Sequence, residues 1–255
     1  MGLALPAPRM TATLAATPPE GWSGADPQSA TMPADGRMAS LQVPLRREAQ
    51  RLPGVLAFEG LVTVNWRDQA IERPVVVTVN NSYLQWFHLI GPFDNTDNKG
   101  FDTVYPPEEN IDFTQSYPGK GGDAKWQTTD WVFPRTRDQM APTFIDLVRR
   151  FDPHEETAAY AVTYLWSPQA KEALFLLGSD DGSVLWLNGE KIFSHSGQRI
   201  AIPGDDRIPA HLREGWNTVL MKIVQIPGDW GFYLQLTDPD GQPLPDVFSA
   251  LNPEM

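Results

Sequence analysis

The sequence predicts an all-β protein: a small N-terminal β-sandwich followed by a larger jelly-roll β-sandwich. Three observations predict it. Short apolar or alternating runs recur at roughly 8–12-residue spacing, separated by turn residues. The chain carries 24 prolines and 20 glycines, a composition suited to many short strands and tight turns. Apolar residues with a sustained helical period are almost absent from its 255 positions, which leaves strands as the main way to bury the 41% that are hydrophobic.

Taken in order, residues 1–17 lack periodicity and are expected to be a tail, punctuated by Pro6, Pro8 and Arg9 and so a poor signal peptide. The first domain is assigned to residues 18–80. Leu41, Val43 and Leu45 alternate on one face of a half-buried strand, Leu61–Trp66 alternates again, and Pro74–Val79 is a continuous β-branched run. Pro53-Gly54 and Arg67-Asp68 supply the turns between them.

The second domain is assigned to residues 83–242, with 243–255 a Pro-rich tail. Its first strand spans Leu84–Ile90 and is broken by Gly91-Pro92, and Asp94–Gly122 reads as loop. Trp126–Phe133 reads as a strand, and Thr143–Phe151 as either a strand or a helical turn. Ala158–Trp166 is a strand with Ala159, Ala161, Thr163 and Leu165 on one face and Tyr160, Val162, Tyr164 and Trp166 on the other. The organising stretch is Ala173–Phe193. Apolar Ala173–Leu177 leads into Gly178-Ser179-Asp180-Asp181-Gly182, read as a turn whose glycines take positive φ. Ser183–Leu187, the Asn188-Gly189 hairpin signal and Glu190–Phe193 complete a three-strand meander. Gln198–Ile202 is short and exposed; Thr218–Val224 and Phe232–Leu236 are the last strands.

Charge and composition exclude several function classes. The formal net charge is −12, opposite to the basic footprint that nucleic acid or an anionic membrane requires. With no cysteine, disulfides, zinc–thiolate sites and cysteine nucleophiles are excluded. Gly-x-Ser-x-Gly is absent, and Gly119-Lys120-Gly121-Gly122 has no helix after it to make a phosphate loop. The four histidines, His88, His154, His195 and His211, show no metal-ligand spacing. Carboxylate pairs meet only in a fold, and Glu108, Glu109 and Asp112 head the list for a glycosidase.

Two resemblances follow from particular motifs. The opening Pro19-Glu20-Gly21-Trp22, the Leu41–Leu45 segment and the closing Arg73–Val79 segment resemble the small immunoglobulin-like domain found beside bacterial glycosidase and deacetylase domains. The second domain resembles a galactose-binding-like jelly roll through Trp86, Gly91, Pro92 and Phe93, then Gly178–Gly189, then Leu212, Gly215, Trp216, Asn217, Leu220 and Lys222, then Asp229–Leu234. Its Ser-Asp-Asp-Gly stretch is also similar to that of protective-antigen-type lectin domains. That likeness implies calcium held by Asp180 and Asp181; the alternative is that these aspartates only bond loop amides.

The resemblance implies a non-catalytic carbohydrate-binding module, accessory to a secreted polysaccharide-active enzyme and working in an extracellular or periplasmic setting. Carbohydrate is the expected partner, with a catalytic domain in the parent protein, and neither nucleic acid nor membrane. Sugars present C–H faces that stack on aromatic rings. Among nine tryptophans, Trp230 beside Asp229 is the first candidate platform, with Trp126 and Trp131 next and Arg199 as a polar ligand contact. Trp86, Trp166, Trp186 and Trp216 are read as core. Two further readings stay open: a structural or protein-interaction module, and a polysaccharide lyase or hydrolase.

Overall fold

The computed structural model describes residues 10–18, 22–32, 41–47, 51–53, 55–80, 82–129 and 144–253. Outside them lie most of the N-terminal tail, the Pro19–Gly21 part of the opening motif, and Trp131 with the rest of 130–143. The chain divides into two compact units, Met1–Gln50 with Val55–Asn80, and Arg51–Gly54 with Asn81–Met255.

The first unit holds β1 (Thr11–Thr17), β2 (Trp22–Ser23), β3 (Gln28–Thr31), β4 (Arg46–Arg47), β6 (Val55–Trp66) and β7 (Gln69–Asn80); β5 (Arg51–Pro53) belongs to the second unit. The main sheet has order β3-β1-β6-β7, and β2 pairs with β4. β6 and β7 form a long hairpin closed at Arg67-Asp68, where Arg67 takes φ 56°. Trp22 packs edge-on against Phe58 at 5.8 Å. Two expectations are corrected here. Thr11–Thr17 is not tail but a paired strand, its alternating Thr/Ala pattern being too weakly apolar to register as one. Leu41–Leu45 is irregular despite its alternation; the strand residues are Arg46–Arg47.

The second unit is a two-layer β-sandwich. Its strands are β8 (His88–Asp94), β9 (Ser116–Gly119), β10 (Gly122–Lys125), β11 (Gln127–Thr128), β12 (Ile145–Asp146), β13 (Thr157–Ser167), β14 (Lys171–Asp180), β15 (Ser183–Leu187), β16 (Glu190–His195), β17 (Asp206–Leu212), β18 (Gly215–Val224), β19 (Gly231–Thr237) and β20 (Phe248–Ala250). The larger sheet runs β11-β8-β13-β18-β15-β16, with β20 also on β13 and β5 outside β20. β8 pairs with the first half of β13 and β20 with Tyr164–Trp166, so two strands share one edge of β13. The smaller sheet is β12-β19-β14-β17. Between the sheets lies the main core, with Ala159, Ala161 and Met221 from one and Phe175, Leu177 and Phe232 from the other.

The outer face of the larger sheet is covered too. Ile90, Phe93, Tyr160 and Val224 pack under Phe101, Tyr105, Phe113 and Tyr117 of the 95–125 segment. This segment, expected to be loop, is a cover containing a 3-10 stretch (Thr96–Phe101), a helical turn α1 (Pro106–Glu109) and the β9–β10 ladder. With a layer on each face, β13 is buried at nearly every position. β8 also continues through Gly91-Pro92 by a cis peptide bond, where a break was expected. Residues 243–253 are not tail throughout, since β20 is a strand of the larger sheet.

The Asn188-Gly189 turn is as expected, with φ 53° and 83° at the two positions that a type I′ hairpin requires positive. The three-strand meander is not. β14 pairs with β17 and β19, whereas β15 pairs with β16 and β18. At Asp181-Gly182 the chain therefore crosses from one sheet to the other. Among the described residues no helix is long and apolar enough to cross a membrane.

Candidate functional site

The Gly178–Gly182 stretch is built for close approach rather than for a turn. A Cβ on Gly178 would sit 2.0 Å from the Ile202 carbonyl oxygen, and one on Gly182 would sit 2.8 Å from a Val224 methyl and 3.0 Å from the His195 carbonyl oxygen. Neither glycine has positive φ. The glycines let the 196–205 segment lie on the end of β14.

The aspartates hold that contact. Asp181 is 1% exposed. Its Oδ1 accepts from the Arg199 backbone N–H at 3.1 Å and its Oδ2 from the Ile226 N–H at 2.7 Å. One carboxylate thus ties together the two loops flanking the crossing. The Arg199 guanidinium donates through Nη2 to Ser179 Oγ at 2.7 Å and to Asp206 Oδ2 at 2.6 Å. Ser179 Oγ in turn donates to the Asp181 carbonyl at 2.8 Å. Desolvation, then the charge of Asp181, pushes the Asp180 carboxyl up to about 6, with Asp229 adding to the push and the Ala201 N–H opposing it. Desolvation raises Asp181 as well, against the amides of Ile226 and Arg199.

The Asp181 carboxylate has a structural task that needs no calcium ion. Calcium takes six to eight oxygen ligands, but both Asp181 oxygens are committed to amide N–H groups. Among the described residues, no group of three or more His, Asp or Glu side chains could hold a metal. Arg199, nominated as a ligand contact, directs Nη2 to Ser179 and Asp206, while its enclosed Nε has no partner among the described residues.

The tryptophans are redistributed. Trp230 is 0% exposed, donates its indole N–H to the Ile223 carbonyl at 3.4 Å and packs on Phe151. A loop position misled here: the ring turns inward and caps the core, so neither face is open to a sugar, while Asp229 beside it is exposed. Trp126 is half-buried, edge-on to Phe113 at 4.9 Å, with its indole N–H enclosed and without a partner among the described residues. Trp131 lies outside the described residues.

Three tryptophans read as core, Trp166, Trp186 and Trp216, are instead half-buried, and Trp186 packs against the cluster under the cover. Phe248, Trp166 and Trp216 stand at one level on three adjacent strands, Trp166 being registered with Phe248 on β20 and with Trp216 on β18. Their face of β13 is the one that carries Tyr160 and Val162 under the cover. Trp166 and Phe248 stack at 5.1 Å and 17°, and Trp216 meets Phe248 edge-on at 5.6 Å. None of the three belongs to either buried cluster. Alternation places Trp166 on the Tyr160 face, but the sequence does not reveal that it stays half-buried there.

The remaining motif residues make the fold. Asn217 Oδ1 accepts from the Arg213 N–H and from Asn188 Nδ2, both at 2.9 Å, while Asn188 Oδ1 accepts from the Thr218 N–H at 3.0 Å. Two asparagines so fasten two turns together. Lys222, only 2% exposed, donates to Glu108 Oε1 at 2.9 Å and to the carbonyls of Phe101 and Thr103 at 2.9 and 2.6 Å. Tyr160 donates to the same Glu108 oxygen at 2.5 Å. Glu108 thus serves as the anchor of the cover. Desolvation lowers Lys222 and raises Tyr160, and Glu108 acts second on each.

No family model matches the chain, and no curated protein matches it. Among solved structures it is similar to the PA14 domain of the MpAFP antifreeze protein, at 19% identity and TM-score 0.31 over 37% of this chain and 52% of that one. It is also similar to an anti-sigma factor domain-containing protein, at 8% identity and TM-score 0.39 over 94% of this chain and 78% of that one. A third is the GH31 alpha-xylosidase from Xanthomonas citri, at 10% identity and TM-score 0.34 over 89% of this chain and 30% of that one. The chain spans about half of the antifreeze-protein chain and under a third of the xylosidase. At these scores the likenesses carry no argument about function.

Proposed function

We propose that the second unit is a non-catalytic carbohydrate-binding module, serving as an accessory to a polysaccharide-active enzyme outside the cytoplasm. The observation that carries this reading is the strip of Phe248, Trp166 and Trp216 at one level across three strands. A sheet face spaces neighbouring side chains about 5 Å apart, and a row of half-buried rings suits the C–H faces of successive sugars. Aromatic contacts of this kind contribute about 0.5–1.5 kcal/mol each beyond area burial. The non-catalytic half of the reading is supported by the employment of the buried charges. Asp181, Asp206 and Glu108 each hold a loop, an arginine or a lysine in place.

The test is affinity electrophoresis of the full chain in gels containing neutral plant and microbial polysaccharides. Wild type is expected to be retarded by at least one of them. Trp166→Ala and Trp216→Ala should each weaken retardation about tenfold, the upper end of a single ring's contribution, and Trp126→Ala should leave it unchanged. Absence of retardation on every polysaccharide, or sugar release by the purified chain, would overturn the proposal.

A further inference from the structure

On the side of the sandwich formed by the outermost strands of both sheets, β16 and β17, lies a cleft of about 400 Å³. That volume is within the range of sites that take small molecules, roughly 300–1,000 Å³. Its apolar lining comes from Leu187, Ile192 and Ala210, and its polar lining from Glu172, Glu190, His211 and Arg213. His211 Nδ1 and Glu172 Oε1 lie 2.9 Å apart, so the carboxylate fixes the imidazole from one side and leaves Nε2 as its other polar position. The Asn188 side chain, which also lines the cleft, is bonded to Asn217 and Thr218 and makes a fixed wall.

We infer that this cleft binds a single neutral pyranose unit, or another small neutral polyol of that size. The lining carries both signs of charge. A cationic ligand would leave Arg213 without a match, and an anionic one would leave Glu172 and Glu190 without one. Carboxylates accept hydrogen bonds and the guanidinium only donates them. Adjacent hydroxyl groups do both, so one neutral diol satisfies Glu190 and Arg213 together. The apolar lining then meets the C–H face of the ring. The cleft shares no residue with the aromatic strip, and this inference stands or falls without it.

The test is ligand-observed NMR titration of the full chain with methyl glucoside and methyl galactoside as neutral probes, glucosamine as the cation and glucuronate as the anion. Saturable binding of at least one neutral probe is expected, with both charged probes weaker by about tenfold or more. Arg213→Met and Glu190→Gln should each weaken that binding about tenfold or more, about what losing one charge-assisted hydrogen bond does. Both residues are exposed, so the melting temperature of each variant should match wild type. Trp166→Ala should leave monosaccharide binding intact even where it abolishes retardation by polysaccharide. Lack of saturation by either neutral probe, tighter binding of a charged probe, binding insensitive to Arg213→Met and Glu190→Gln, or binding lost with Trp166→Ala would each overturn the assignment.

Discussion

Lys222→Met removes the ammonium buried beneath the cover and retains most of the side chain's volume. It leaves the Glu108 carboxylate, whose side chain is 16% exposed, with the Tyr160 hydroxyl but without its countercharge, and strands the carbonyl oxygens of Phe101 and Thr103. Removing one partner of a buried ion pair costs about 3–5 kcal/mol. For a unit of this size, 1 kcal/mol corresponds to roughly 2–4 °C. Calorimetry should therefore show the melting temperature of the second unit falling by about 6–20 °C, and limited proteolysis should cut within the 96–115 segment first. Pairing the change with Glu108→Leu removes the stranded carboxylate, so the double variant should be more stable than the sum of the two single losses by about 1–3 kcal/mol. A loss under about 1 kcal/mol for Lys222→Met, or additive single changes, would refute the idea that this pair anchors the cover.

Other expectations concern the sheet crossing. Asp180 has a folded-state pKa raised from 3.8 to about 6, so the folded state disfavours its charge. The stability this group contributes is complete below about pH 4 and is lost as pH rises through 6. Asp180→Asn should accordingly raise the melting temperature at pH 8 relative to wild type, by an amount worth about 1 kcal/mol after solvent screening, and show little gain at pH 4; equal gains at both would contradict this. Asp181→Asn keeps only one acceptor oxygen for two amides and should cost about 1–3 kcal/mol in urea unfolding. Gly178→Ala, with its Cβ 2.0 Å from the Ile202 oxygen, should cost at least about 1–3 kcal/mol, and a neutral outcome would show that Ile202 does not lie on the strand. Because the aspartates bond amides, chelator should leave the melting temperature unchanged, whereas a calcium-dependent rise would restore the metal reading.

The strand content was largely legible because each strand carries its own period. Ala158–Trp166, Thr218–Val224 and Phe232–Leu236 all declare themselves by alternation, and Asn188-Gly189 declares its turn. Pairing is non-local and was harder to read. Gly178-Ser179-Asp180-Asp181-Gly182 has the composition of a hairpin turn, yet its glycines serve two close approaches and its aspartate bonds two distant amides. The cover was missed because its anchor joins Glu108 to Lys222, residues far apart in sequence whose burial depends on the completed sheet. For the candidate site, Trp230 and Trp166 exchanged roles. A loop tryptophan turned inward, and a strand tryptophan stands half-buried outside both buried clusters. The cleft had no local signal at all, since it arises where the edges of two sheets meet.

The claim that polysaccharide lies along the aromatic strip is tested most directly by hydrogen–deuterium exchange of the full chain with and without a saturating polysaccharide. Protection should appear at Phe248–Ala250, Tyr164–Ser167 and Gly215–Thr218. Protection confined to the Asp180–Gly182 crossing and the 225–230 loop, with no change in those three segments, would contradict it.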